Sequence, residues 1–281
     1  MEINDLFRTR DGRPVTADDF RRALESVGAH EAQVLYMHTE LSFGTPNPGI
    51  GRRDLLAKLY AVVRNTGVPT ICVPTFTFSF CNGVDYDVQR SRSQMGALNE
   101  YIRNLPEAVR SADPLMSSAV VGPDTSLVTD VGRRSIGANS TFDRLHRRPG
   151  VRFLFFGASP SKCFTYIHYV EECERVYYRY DRSFAGNVTD RGHTTRETYT
   201  LFVRYRNVVL SDAGQPEQEM ARRGILRRAA CGDAVISCAD EPGAYDTIVG
   251  QLRSDINCYL APPYPGEFLD REFRAHNMVA L

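Results

Sequence analysis

Tryptophan is missing from this 281-residue chain, lysine occurs only as Lys58 and Lys162, and 34 basic residues face 34 acidic ones. A chain without net charge has no global field to gather nucleic acid or an anionic membrane, so neither partner is expected. No stretch approaches the roughly 20 apolar residues that a membrane-spanning helix needs. The opening segment, MEINDLFRTRDGRP, lacks the apolar core of a secretory signal. The seven cysteines, at positions 72, 81, 163, 173, 231, 238 and 258, include no C-x-x-C pair. That removes the zinc ribbon and the thioredoxin-type motif. An odd, dispersed set fits free thiols in a reducing compartment, and a cytoplasmic location is expected. His30, His146, His193 and His276 show no ligand spacing, so no metal is expected. P-loops, dinucleotide glycine fingerprints, H-E-x-x-H and G-x-S-x-G are absent as well.

What the chain does have is bulk for a core: 42% hydrophobic residues, with 15 Phe and 14 Tyr standing in for Trp. No linker, repeat or low-complexity stretch divides it, so residues 1–281 are read as one domain. Thr16-Ala17-Asp18-Asp19 ahead of Phe20, Leu24 and Val27, with Gly28 as the stop, predicts a capped amphipathic helix. Periodicity then predicts strands over 33–38, 69–76 and 151–157, and helices over 53–63, 95–103 and 142–146. Aromatic strands over 176–180 and 198–205 suggest a hairpin with a long connection. A helix over 216–229, a strand over 233–237 and a helix over 244–259 complete the chain. Strands alternating with helices point to an α/β fold.

The chemistry concentrates after the 151–157 strand. The turn Ala158-Ser159-Pro160-Ser161 leads into Thr165, His168 and Glu171, spaced at i, i+3 and i+6. On a helix His168 and Glu171 are neighbours. A carboxylate beside an imidazole orients the ring and raises its basicity, which suits proton removal near neutral pH. Ligands in open α/β sheets gather beyond the carboxyl ends of strands, where this turn lies. Cys163 offers a second reading, as a covalent nucleophile working with His168. Residues 96–117 form another unusual block, denser in Gly, Glu, Arg, Pro and Ser than a helix or strand requires.

Together these segments resemble the aminoglycoside 3-N-acetyltransferase family, the antibiotic acetyltransferases, which use acetyl-CoA. The likeness covers roughly residues 33–172 well and the C-terminal third weakly. The family's His-Ser-Ser-Leu strand end appears as His38-Thr39-Glu40-Leu41, and its Pro-Thr-aromatic-Thr stretch as Pro74-Thr75-Phe76-Thr77. Its long central block is matched by Gly96, Glu100, Arg103, Pro106, Arg110, Ser111, Pro114 and Ser117, with Asp113 where the family has His. Its Thr-x-x-His-x-x-Glu is present as Thr165, His168 and Glu171.

The resemblance implies a layered α/β/α sandwich of the antibiotic acetyltransferase type. It speaks against the Gcn5-related fold, whose pyrophosphate loop fails here at Asn139 in the nearest candidate, Arg134-Ser135-Ile136-Gly137-Ala138-Asn139. It further implies acetyl transfer from acetyl-CoA to a primary amine of an aminoglycoside or amino-sugar-like substrate, through a ternary complex. His168 would be the general base, Glu171 its partner, and Thr165 a donor to the substrate or the thioester oxygen. His38, Thr39, Thr75, Phe76, Arg110, Ser111 and Ser117 would border the CoA channel. Two departures, Asp113 and Glu40, bear on the acceptor and leave room for a member that binds CoA or a sugar without turnover. A polycation is best gathered by an acidic cleft. Asp85, Asp87, Glu171, Glu172 and Glu174 are candidates for one, yet the neutral, Arg-rich chain favours a less cationic amino sugar, such as one attached to a nucleotide. Tyr177-Tyr178-Arg179-Tyr180 suits sugar stacking and phosphate contact, or an aromatic core strand. A homodimer is left open.

Overall fold

A computed structural model describes residues 5–211 and 215–273 of the chain; His276 lies outside them. The elements in order are β1 (Asp5–Arg8), β2 (Pro14–Thr16), α1 (Ala17–Ser26), β3 (Val34–Thr39), β4 (Thr45–Pro46), α2 (Arg52–Arg64), β5 (Thr70–Pro74), β6 (Tyr86–Asp87) and α3 (Ala97–Arg103). There follow β7 (Val109–Arg110), β8 (Ser118–Val121), α4 (Ser126–Thr129), α5 (Thr141–Arg147), β9 (Val151–Phe156), α6 (Pro160–Cys163) and α7 (Tyr166–Cys173). The last are β10 (Arg179–Asp190), β11 (His193–Arg204), α8 (Gln215–Arg222), β12 (Leu226–Cys231), β13 (Ala234–Asp240) and α9 (Glu241–Ser254).

The centre is a seven-stranded sheet in the order β12-β13-β9-β3-β5-β8-β7. Its three middle strands, β9, β3 and β5, run parallel, and antiparallel strands extend it on both sides. These middle strands are apolar at nearly every position because both of their faces are covered. Tyr36, Phe153 and Phe155 enter one core, whereas Leu35, Met37, Leu154 and Phe156 enter the other. Phe20 and Leu24 of α1, Leu55 and Leu59 of α2, and Leu98 and Ile102 of α3 close the second core. Phe142 of α5, Tyr166 and Val170 of α7, and Ile248 and Leu252 of α9 close the first. The result is the layered α/β/α sandwich that the family resemblance implied.

Local chemistry sets the ends of α1. The Thr16 side chain accepts from the Asp19 amide while the Asp19 carboxylate accepts from the Thr16 amide at 2.8 Å, a reciprocal cap.

The C-terminal third departs most from expectation. The hairpin is two strands of 12 residues each, so its supposed long connection is itself paired, and β6 adds to it in parallel. The helix expected over 216–229 ends at Arg222. Gly224 turns the chain at φ +71°, and residues 226–231 instead pair with β13 as an edge strand. The helix expected over 244–259 starts and stops earlier, at Glu241–Ser254. Beyond it the chain crosses the hairpin: Phe273 packs on Phe184 with ring centroids 5.1 Å apart, and Asn207 bonds the backbone of Phe268 and Asp270.

Candidate active site

The parallel strands end together, with His38 and Thr39 on β3, Pro74 on β5 and Phe156 on β9 at one edge. Gly157 turns the chain out of β9 at φ +77°. A Cβ there would come within 2.2 Å of the Glu40 carbonyl, so only glycine lets the exits of β3 and β9 meet. The chain then forms α6 and α7, which carry His168 and Glu171 to this edge.

His168 and Glu171 are 7% and 1% exposed, and His168 Nδ1 lies 2.6 Å from Glu171 Oε2. The Tyr178 hydroxyl donates to Glu171 Oε1 at 2.8 Å. Arg179, the first residue of β10, places Nε 2.8 Å from Glu171 Oε2 and Nη2 2.8 Å from His168 Nδ1. Burial opposes ionisation of Glu171. The Arg179 guanidinium, then His168 and the Tyr178 hydroxyl, outweigh it and hold the carboxyl at about 2. An ionised Glu171 can only accept, so Nδ1–H of His168 donates to it, which assigns the free lone pair to Nε2. The approach of Arg179 Nη2 to Nδ1 is then a charge contact with the ring. Burial first, and Arg179 second, lower the His168 pKa against the pull of Glu171, so the imidazole is neutral at physiological pH.

Cavities meet at these residues. One of about 330 Å³, lined by His38, Thr39, Phe76, Asn99, Cys163 and Thr165 among others, lies at the strand ends. Through Gln94 and Gly96 it adjoins a groove of about 930 Å³ that carries Arg52, Arg53 and Arg92. On its other side Lys162 and Thr165 also wall a cavity of about 100 Å³ that contains His168 and Glu171. His168 in turn borders a further space of about 50 Å³ with Arg179 and Arg204. Thr165 and His168 thus stand at the junctions of a chain of spaces; the Thr165 hydroxyl donates to the Cys163 carbonyl at 3.2 Å.

The structure divides the expected channel residues. His38, Thr39 and Phe76 line the 330 Å³ cavity. His38 stacks on Phe155, its Nε2 has no partner among the described residues, and burial lowers its pKa to about 3. Thr39 donates to Asn99 Oδ1 at 2.8 Å. Thr75, Ser111 and Ser117 lie at 1% exposure or less and do not border this cavity. Their hydroxyls bond one another and the backbone: Ser117 donates to the Thr75 carbonyl at 2.7 Å, and Ser111 accepts from the Ser118 amide at 3.1 Å. Arg110 spends its donors on Thr75 and on the carbonyls of Val88 and Ser91. With Glu100 and Arg103, which hold Ser93 and Gln89, it braces the 88–93 loop. The dense central block builds the wall of the site. Asp113 accepts from the Leu115 and Met116 amides and from Ser135, and so organises a buried turn.

No acidic cleft forms from the candidate carboxylates. Glu172 pairs with Arg134, Glu174 with Arg253, Asp85 bonds Asn187, and Asp87 caps the Gln89 and Arg90 amides. Arg179 faces Glu171 and His168 instead of meeting a phosphate, since a buried guanidinium needs an anion beside it. Sequence reasoning missed Arg179 and Tyr178 as partners of Glu171, and Arg204 altogether. An arginine inside an aromatic strand was the available signal, because such a residue must find a counter-charge once buried.

The family described as aminoglycoside 3-N-acetyltransferase matches residues 47–253 of the chain. Among solved structures the chain is similar to the aminoglycoside acetyltransferase AAC(3)-Xa, at 20% identity over 87% of this chain and 94% of that one, with a TM-score of 0.72. It is similar to AAC-IIIb in a binary complex with CoASH, at 19% identity, 89% and 99% coverage and a TM-score of 0.72. A variant of AAC(3)-IVa in complex with a gentamicin matches at 18% identity, 94% coverage of both chains and a TM-score of 0.70. No individually curated protein matches. With most of its length matched by that one family, the chain belongs to the aminoglycoside 3-N-acetyltransferases.

Proposed function

We propose that His168 acts as general base while a primary amine, of an aminoglycoside or an amino-sugar-like acceptor, attacks acetyl-CoA in a ternary complex. The observation that carries this reading is a buried, neutral imidazole, oriented by an ionised carboxylate, between two separate approaches. The pantetheine arm takes the cavity of Thr39 and Asn99, whose polar side chains suit its amides. The nucleotide end takes the groove with Arg52, Arg53 and Arg92, which suit its phosphates. The AAC-IIIb complex with CoASH supports such a co-substrate.

As the amine nitrogen bonds to the thioester carbonyl carbon, its proton passes to His168 Nε2. The tetrahedral intermediate collapses, the carbon–sulfur bond breaks, and the imidazolium returns the proton to the departing thiolate. Glu171 stabilises the transient imidazolium, and Arg179 favours its return to neutral. Thr165, on the wall of both cavities, turns its hydroxyl from the Cys163 carbonyl to donate to the developing oxyanion. A covalent route through Cys163 is disfavoured. Its thiol donates to the Ser159 carbonyl, and burial, with Glu40 and Glu217 nearby, pushes its pKa to about 12.

Initial-rate kinetics of thiol release test the order of events. Varying acetyl-CoA against an accepted amine should give intersecting double-reciprocal lines and no acetylated enzyme by mass spectrometry. Parallel lines with an acetylated Cys163 would overturn the reading.

A further inference from the structure

Positive charge is left over beside His168. We infer that the acceptor carries a compact anion, a phosphate or a carboxylate, on the same molecule as its amine, and that Arg204 binds it. The inference rests on the acetyl-transfer reading of His168 and names the acceptor class for that site.

Three arginines, Arg179, Arg204 and Arg206, border the 50 Å³ space next to His168. Arg179 is matched by Glu171, and Arg206 by Asp270 and Glu272. Glu217, on the adjoining cavity, is matched by Arg228. The Arg204 side chain, only partly exposed, makes no hydrogen bond or close ion pair among the described residues, and the counter-charge it feels, Glu171, is already held by Arg179. Burial and the like charge of Arg179 act against it and outweigh the pull of Glu171, which is the situation an incoming anion relieves. Lys162, on the wall between the two larger cavities, adds charge of the same sign. Glu40 lies on the strand-end cavity, away from this space.

Size narrows the ligand. A space of about 50 Å³ takes a group of a few heavy atoms, not a sugar ring. The ring and its amine therefore lie on the His168–Glu171 side, in the 100 Å³ cavity and its mouth, with the anion seated between Arg204 and Phe202. A polycation finds the reverse of what it needs in this space, because Glu171, Asp270 and Glu272 beside it are already paired with Arg179 and Arg206. A guanidinium fork is well matched to phosphate and carboxylate oxygens.

The test compares glucosamine, glucosamine 6-phosphate, glucosaminic acid and gentamicin as acceptors, reading kcat/KM from thiol release. Calorimetry with the unreactive glucose 6-phosphate runs in parallel on the protein saturated with acetyl-CoA. One or both anionic amines should exceed glucosamine by about 10- to 100-fold, the worth of one charge-assisted contact. Which one does separates phosphate from carboxylate. Arg204→Gln should bring the anionic-to-neutral ratio close to one and abolish glucose 6-phosphate binding, whereas Arg204→Lys should keep part of both. A wild-type ratio near one, a preference for gentamicin, or an equal loss on all acceptors in Arg204→Gln would overturn the inference. If no amine releases thiol, the acetyl-transfer reading fails, and the calorimetry with Arg204→Gln still decides whether Arg204 binds an anion.

Discussion

Two His–Glu contacts of similar length lie on the same side of the sheet, His168–Glu171 at 2.6 Å and His146–Glu241 at 2.8 Å. Each carboxylate also accepts from a buried tyrosine, Tyr178 in the first and Tyr166 in the second. They differ in what else is present. Arg179 stands against the first pair and holds Glu171 ionised, at about 2. The second pair has no such cation among the described residues, and burial raises the pKa of Glu241 despite Tyr166 and His146. His146 instead stacks on Tyr245 at 4.1 Å, and it borders none of the four spaces described above, whereas His168 borders two. An imidazole touching a carboxylate is therefore not sufficient for a site. In the reading proposed above, a guanidinium that keeps the carboxylate charged, and cavities beside the imidazole, are what set the first pair apart as a base.

The sharpest way to break this comparison is to remove each imidazole. His168→Ala should lower kcat/KM by about 10²- to 10⁴-fold in a thiol-release assay. His146→Ala should stay within about threefold, and equal losses would show the two pairs to be functionally alike.

Stability gives the next largest contrast. Glu171→Gln strips the counter-charge from a buried Arg179 and should cost about 3–5 kcal/mol in urea denaturation at pH 7. Glu241→Gln leaves no buried guanidinium unpaired and should cost about 1 kcal/mol. The two costs should also respond oppositely to acid. Glu171 titrates at about 2 when folded and 4.5 when unfolded, so its contribution is complete above pH 4.5 and is lost as pH falls toward 2. The folded pKa of Glu241 is raised, so its contribution is complete below the unfolded value and is lost as pH rises through the folded one. Acid should shrink the cost of Glu171→Gln and enlarge that of Glu241→Gln.

Arg179→Gln sharpens the role of the cation. Because burial and Arg179 both lower the His168 pKa, the acid limb of kcat/KM should lie below pH 6.5 in the wild type. Removing the guanidinium makes protonation easier, so the limb should move to higher pH. A limb that stays in place would assign Arg179 to packing alone. The smallest effect is expected from Cys163→Ala, within about twofold in kcat/KM, since a thiol raised to about 12 is a poor nucleophile at neutral pH.

Much of the fold could be read in advance because its signals are local. The cap at Thr16–Asp19 and the doubly apolar run of β9 each act over a few residues. The errors fall where pairing over distance decides. Residues 181–197 are polar on alternate positions and look like a loop, yet each strand of the hairpin completes the other's hydrogen bonds. Residues 226–231 carry two arginines and two alanines that read as helix, but pairing with β13 makes them an edge strand. In the site, Thr165, His168 and Glu171 were visible because three residues of separation on one helix is a local relation. The expectation that Arg110, Ser111, Thr75 and Ser117 face the co-substrate did not anticipate how thoroughly their polar groups are used up inside the protein.

From the sequence alone came the alternation of strands and helices and the pairing of His168 with Glu171, consequences of short-range periodicity and spacing, while the acetyltransferase blocks and the layered sandwich came from the resemblance of its motifs to a known family. Only the tertiary structure decided that Arg179 keeps Glu171 ionised, that Glu172 and Glu174 are paired with arginines, and that the Arg204 side chain is left without a close ion-pair partner among the described residues. Those outcomes depend on which strand passes beside which helix, and electrostatic contacts made across a sheet leave no regular interval along the chain.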